Sequence, residues 1–315
     1  MLFDAHTHLN FEKYSDEERR ELAAETEASD VGFIIDVADS IESAKQALKD
    51  ADDYPWCFAA VGIHPDHASD YSGICGYDPE KRAAAESRLE ADLAEIRKLA
   101  AHPKAAAIGE IGLDFYYGTD DREEQQELFR RQIRLANELR MPIMIHSRDA
   151  HQLTMDILRE EGAFSDERKS WFPARPAAGA LSESAYGHDV RVPGEHETGG
   201  ITEAPDARVQ LHCFSGSPEL ALEYVRLGAT LSLGGPVTFK NGKKAAEVVR
   251  QVPIEYLMSE TDAPYMAPEP LRGRPNKSPY IEHIVRRMAM IKGMEYEEAA
   301  RVLTENAKRF FGITT

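Results

Sequence analysis

The sequence predicts a TIM-type (β/α)8 barrel, on three observations. Compact apolar runs alternate eight times with polar, helix-like stretches, and the length of 315 residues suits such a barrel. Most of the apolar runs also end in histidine or carboxylate residues, as they do where barrel strands converge on an active face. The runs are Leu2–Leu9, Val31–Ala38, Trp56–Pro65, Lys104–Asp114, Pro142–Arg148, Arg208–Gly216, Ala229–Val237 and Ile254–Tyr265. They are rich in Val, Ile and Phe and apolar on both faces, the pattern of parallel strands covered by helices. Between them, Glu80–Ala101, Asp121–Arg140 and Glu219–Gly228 read as amphipathic helices. In the second of these Leu128, Ile133 and Leu135 lie on the apolar stripe, and Gly228 marks the stop of the third. A doubly wound open sheet would carry a glycine-rich first turn, where this chain reads His6-Thr7-His8-Leu9.

One domain, residues 1–315, accounts for this rhythm, with a single interruption before the sixth strand. The stretch Pro173–Asp206 has 34 residues, nine of them Gly or Pro, and too few large apolar side chains for a core of its own. It reads as an inserted excursion, peripheral to any metal site, that lids the cavity, narrows substrate choice or mediates association. His188 and His196 within it read as surface histidines.

Composition excludes several classes. With 37 basic and 55 acidic residues the formal charge is −18, which argues against a broad basic face that coats nucleic acid. Cys57, Cys75 and Cys213 show no CxxC spacing, so neither a disulfide framework nor a zinc ribbon is expected. No apolar run approaches the roughly 20 residues of a membrane span. Met1-Leu2-Phe3-Asp4 lacks the start of a signal peptide. A cytoplasmic enzyme without membrane or stable protein partner is the expectation.

His6 and His8 are two residues apart in the first strand, so both share a face with Asp4. Two imidazoles aimed into a barrel interior are costly without partners, and a metal ion or a hydrogen-bonded pair at the mouth satisfies them. The fourth run ends in Gly109-Glu110-Ile111-Gly112-Leu113-Asp114, the fifth in Ile145-His146-Ser147-Arg148 and the sixth in Leu211-His212-Cys213. The eighth ends in Glu260-Thr261-Asp262. Taken jointly, three histidine-bearing and two acidic strands supply enough ligands for two divalent ions around a shared carboxylate. Nitrogen and oxygen ligands together admit Mg, Mn, Zn, Ni or Fe.

The motifs FDAHTHLN, GEIGLDFY, PIMIHSRDA, HCFSGS and SETDAPY resemble the signatures of TatD-type metal-dependent deoxyribonucleases, in the amidohydrolase-like superfamily. The resemblance runs from Met1 to about Gly312, broken only by the excursion. It implies one metal held by His6, His8, Glu110 and Asp262, and a second by Glu110, His146 and His212. It also implies 3′→5′ exonuclease action on DNA ends. In such a site Asp262 both ligates and takes the proton of the attacking water, and Glu260 orients a ligand from behind. His64, in the GIHP motif, contacts substrate phosphate; His67 reads as a solvated neighbour, and His102 and His283 receive no role. Cys213, one residue past His212, is expected on the opposite side of its strand as a packed thiol.

An anionic substrate needs local cations. From Pro264 to Thr315 nine Lys or Arg oppose six Asp or Glu, and clusters follow the seventh and eighth strands, where barrels commonly bind phosphate. Lys240, Arg272 and Arg148 are the expected phosphate contacts, Lys243 and Lys244 being read as solvated. Tyr265, Phe115 and Tyr116 are candidate stacking residues for bases. A rim this narrow grips a few phosphates at a strand end. Two other readings stand beside it. One keeps the barrel and metals but cleaves an amide or ester such as D-aminoacyl-tRNA. The other is a metal-stabilised scaffold without catalysis, which predicts missing ligands where none is missing.

Overall fold

The computed structural model describes residues 1–118, 121–176 and 203–314. The wall of the barrel begins with β1 (Leu2–Thr7), β2 (Val31–Val37), β3 (Cys57–Val61), β4 (Ala105–Asp114) and β5 (Ile143–Arg148). After a two-residue antiparallel ribbon, β6 (Arg175–Pro176) with β7 (Glu203–Ala204), it continues with β8 (Val209–Leu211), β9 (Ala229–Leu233) and β10 (Leu257–Ser259). The eight wall strands pair in parallel in chain order. All eight expected runs therefore form strands, most of them shorter than the run that predicted them.

Around them lie α1 (Asp16–Glu27), α2 (Ile41–Asp53), α3 (Pro79–Ala100), α4 (Arg122–Leu139) and α5 (His151–Glu160). They are followed by α6 (Asp166–Ser170), α7 (Pro218–Leu227), α8 (Lys243–Gln251), α9 (Ile281–Lys292) and α10 (Tyr296–Phe311). Local chemistry sets their ends. Ser15 caps α1 in a reciprocal box with Glu18, and Ser217 caps α7 ahead of Pro218. Gly228 stops α7 at φ +102°. Among the described residues, no helix is long and apolar enough to cross a membrane.

The barrel interior is layered. Its lower layer is apolar, with Phe3, Ile35, Met144 and Met258 packed against Phe310 and Phe311, so α10 plugs the N-terminal end. Above it Gln210 Nε2 donates to Ser232 Oγ at 2.8 Å, and higher still the layer is histidine and carboxylate. Contacts between β10 and β1 close the wall. Thr261 donates to Asp4 through its backbone N–H at 2.8 Å and its hydroxyl at 2.6 Å. Just beyond, the Asp262 N–H donates to His6 O at 2.8 Å.

The described ends of the excursion lie away from the site. Arg175, fully buried, donates to Ala229 O at 2.9 Å and Val225 O at 3.3 Å, and its guanidinium lies 4.1 Å from the Tyr256 ring centre. Ala229 opens β9, so these contacts are at the N-terminal face. An excursion joining a helix to the next strand must start and finish there. The expected lid therefore has its roots at the opposite end from His212. His188 and His196 lie outside the described residues.

Candidate metal centre

At the C-terminal end of the strands, β1, β4, β5, β8 and β10 deliver five sets of side chains to one point. Gly112 makes the approach of β4 and β5 possible: at φ +149°, a Cβ there would stand 1.9 Å from His146 O. The two strands thus bring Glu110 Oε1 to 2.7 Å from His146 Nδ1. His212 Nε2 lies 2.6 Å from the same oxygen and 3.3 Å from His146 Nδ1. The other oxygen, Glu110 Oε2, is 3.4 Å from His6 Nε2. Asp262 Oδ1 is 3.6 Å from His6 Nε2 and 3.4 Å from His8 Nε2. One carboxylate therefore faces two separate groups of ring nitrogens.

Further carboxylates hold the rings from behind. Asp114 Oδ2 is 3.0 Å from His146 Nε2, leaving Nδ1 toward Glu110. Glu260 Oε1 is 3.5 Å from His212 Nδ1, long for a hydrogen bond, and Glu260 also accepts from the Cys213 N–H and the Ser232 hydroxyl. His8 Nδ1 donates to Val37 O at 2.8 Å. Asp114 received no role from the sequence, although it lies four residues after Glu110 in one strand and so shares its face.

This donor set fits divalent cations. In the neutral ring the His8 donor bond leaves Nε2 bare, and that nitrogen stands 3.2 Å from His6 Nε2. Two ring nitrogens at that distance need a proton or a cation between them. Burial, which alone raises the Glu110 pKa, is outweighed by His212, His6 and His146, so this carboxyl sits well below its usual range. Asp262 is likewise held down, against burial, by His8, His6 and His212. Burial disfavours the protonated His146, yet Asp114 and Glu110 push it up to about 9. Asp262 and Glu110 push His8 to about 9 as well. Burial and His212 keep His6 low. The cluster attracts positive charge at its centre.

The centre floors an open cavity of about 700 Å³. His64 lies in its wall with Nε2 3.8 Å from Glu110 Oε1, while Nδ1 accepts the Asp66 N–H at 3.2 Å. Nδ1 also lies 3.4 Å from Asp66 Oδ2, so this end of the ring is held by Asp66 and Nε2 faces the cavity. Arg148 lines the cavity, and so does Lys244, which the sequence reading left to solvent. Lys240 and Arg272 do not line it: Lys240 is exposed, and the Arg272 guanidinium lies 4.0 Å from the Phe239 ring centre. His67 sits at the rim, 3.7 Å from Asp70. Cys213 departs from the strand alternation. β8 ends at Leu211, and the turn places Cys213 at φ +41°, which brings it into the cavity wall half-buried.

A parallel barrel whose C-terminal face gathers four imidazoles and two carboxylates defines the class, a metal-dependent hydrolase. The chain belongs to the TatD-related DNase family, whose sequence profile matches residues 3–312. It is 37 % identical, over 99 % of its length and 100 % of the relative's, to the uncharacterized metal-dependent hydrolase YabD of Bacillus subtilis. A relative from Erwinia tasmaniensis named 3′-5′ ssDNA/RNA exonuclease TatD is 29 % identical, over 99 % of this chain and 100 % of its own. Among solved structures, the TatD homologue YJJV of Escherichia coli superposes with a TM-score of 0.74 at 25 % identity, covering 99 % of this chain and 98 % of that one.

Proposed function

We propose that this hydrolase trims the end of a DNA strand in the 3′→5′ direction, cleaving phosphodiester bonds with two divalent cations. One cation is assigned to His6, His8, Glu110 and Asp262, the other to Glu110, His146 and His212. The observation that carries this reading is the placing of the two Glu110 oxygens against different imidazoles, Oε1 on His146 and His212 and Oε2 on His6. Cations there supply a Lewis acid for a phosphoryl oxygen and lower the pKa of water.

The side chains do the rest. Asp262, at φ +56° with its N–H tied to His6 O, is fixed to accept the proton of the attacking water. The imidazolium charges that depress its pKa are absent once the rings are ligands, since ligating histidine is neutral. His64 Nε2–H donates to a phosphoryl oxygen. Asp114 and Glu260 hold His146 and His212 in their ligating orientation. Arg148 and Lys244 attract the phosphates, which favours a phosphodiester over a neutral amide.

The test is shortening of end-labelled single-stranded DNA under titrated Mg, Mn or Zn. Wild type is expected to remove nucleotides from the 3′ end in a metal-dependent way. Asp262→Asn should lower kcat by about 10²–10⁴-fold, and Glu110→Ala by at least as much. Undiminished cleavage by both variants would remove this site. Hydrolysis of an aminoacyl ester with no DNA cleavage under any of the metals would replace the substrate.

A further inference from the structure

The mouth of the cavity is lopsided in charge. Asp39 and Asp66 line it beyond β2 and β3, whereas Arg148, at the end of β5, and Lys244, beyond β9, line it on the other side. A polyanionic strand is drawn over the second sector and repelled from the first. Beside the attractive sector, the segment after β4 presents Tyr116 and Tyr117, 58 % and 78 % exposed. Their rings stand edge to face at 4.9 Å. The Arg148 guanidinium is 3.7 Å from the Tyr116 ring centre and 5.1 Å from that of Tyr117. Its Nη1 lies 3.9 Å from Asp114, which bonds His146. The preceding residue shows the contrast. Phe115 is half-buried against the core and its ring lies 4.2 Å from the Arg122 guanidinium, so its faces are spoken for within the fold.

We propose that Tyr116, Tyr117 and Arg148 form a platform on which an unpaired nucleobase of the strand being trimmed stacks. The proposal rests on the phosphodiesterase reading above and adds what the site recognises besides phosphate. A phenol ring backed by a guanidinium offers a π face and a delocalised cation, which any base accepts irrespective of sequence. A base inside a duplex has both faces covered by its neighbours, so the platform selects unpaired ends. Asp114 touches both Arg148 and the ring of His146, and so positions the platform relative to the centre.

The test compares kcat/KM for a single-stranded oligonucleotide with that for the same strand carrying abasic sites in its three terminal nucleotides. Bis(p-nitrophenyl) phosphate serves as a base-free diester. Wild type should prefer the intact strand by roughly 5- to 150-fold, the range for loss of one stacked base. Replacing both tyrosines with Ala should abolish most of that preference, chiefly through KM. Tyr116→Phe should retain it, and Tyr116→Trp should enlarge it. An intact-to-abasic ratio that is the same in the Ala, Trp and wild-type proteins overturns the platform, as does the absence of any preference in wild type. If wild type hydrolyses both diesters and only the ratio fails to respond, the platform alone falls. If it hydrolyses neither under any cation, the phosphodiesterase reading falls with it.

Discussion

At the C-terminal end of the barrel Glu110 and Asp262 face His6, His8, His146 and His212, atoms of which stand 2.6–3.6 Å apart. At the N-terminal end Arg168 and Arg175, both buried, face main-chain oxygens instead. Arg168 donates to Ala207 O and Met141 O at 2.8 Å each and to Asn137 Oδ1 at 2.7 Å. Arg175 donates to Ala229 O and Val225 O. Buried charge thus has two uses in this barrel. Below, donors meet acceptors belonging to the chain, Arg175 Nε alone going without one, so the work of these contacts is structural. Above, carboxylates and ring nitrogens crowd together, and the rings need either protons or cations to satisfy them. Activity should therefore respond to the upper end and stability to the lower.

The largest effect on stability is expected from Arg175→Met. It removes the charge but leaves the Ala229 and Val225 carbonyls without this donor, and buried acceptors left unmade cost about 1–3 kcal/mol each. A loss of about 3 kcal/mol or more in chemical denaturation, with metal content per folded protein unchanged, is the expected outcome. A variant of wild-type stability that loses metal would break the division between the two ends.

Asp114→Asn probes the upper end more gently. The amide would keep the shape of the side chain while removing the charge that pairs with His146 Nε2, and an outer partner of a ligating histidine is worth about 10- to 100-fold in metal affinity or activity. Cation titrations followed by activity should show that shift, with the denaturation midpoint of the metal-free protein changed little. Equal activity at every cation concentration would show that His146 needs no such support.

Much of this was legible in the sequence where strand geometry alone sets position. The eight apolar runs are strands, and His6, Glu110, His146, His212 and Asp262 reach one point because their strands end together. Legibility failed where the chain turns sharply past the last paired position. Cys213 was assigned by alternation to the far side of β8, but the chain turns after Leu211 and alternation no longer applies. Nearness in sequence to a strand end was likewise a poor guide to the rim. Arg272 turns onto Phe239, whereas Lys244 reaches the cavity because the first turn of α8 borders it. The root of the excursion was readable and was missed, since every helix-to-strand connection of a barrel lies at its N-terminal face. Asp114 was readable too, by its four-residue spacing from Glu110. The Tyr117–Arg148 contact was not, because it joins the ends of two strands whose register no single motif contains.

A third treatment of buried charge, between β2 and α2, sharpens the comparison through its smallest predicted effect. Asp36 and Asp50 are both buried, each with its Oδ2 unpartnered, and each shifts the titration of the other. Among the described residues no ring nitrogen is hydrogen-bonded to this pair, though the nearby His8 charge pulls Asp36 down. Asn10 donates to Asp36 through its N–H at 3.0 Å and its side chain at 2.7 Å, while Gln46 donates to Asp50 and Arg19 and Asp53 lie near. Burial pushes Asp50 up to about 6, and burial together with Asp50 pushes Asp36 well above its usual value. In the unfolded chain an aspartate ionises near pH 3.9. The folded protein thus keeps a proton that the unfolded chain releases between about pH 4 and pH 6. The stability due to that proton is complete below the unfolded pKa, is lost as pH rises through this window, and stays lost above it. Asp50→Asn cannot ionise, so the fall in urea midpoint between pH 4.5 and pH 7.5 should be smaller than in wild type. An equal fall would mean that the ionisation of Asp50 does not set the pH dependence of this pair.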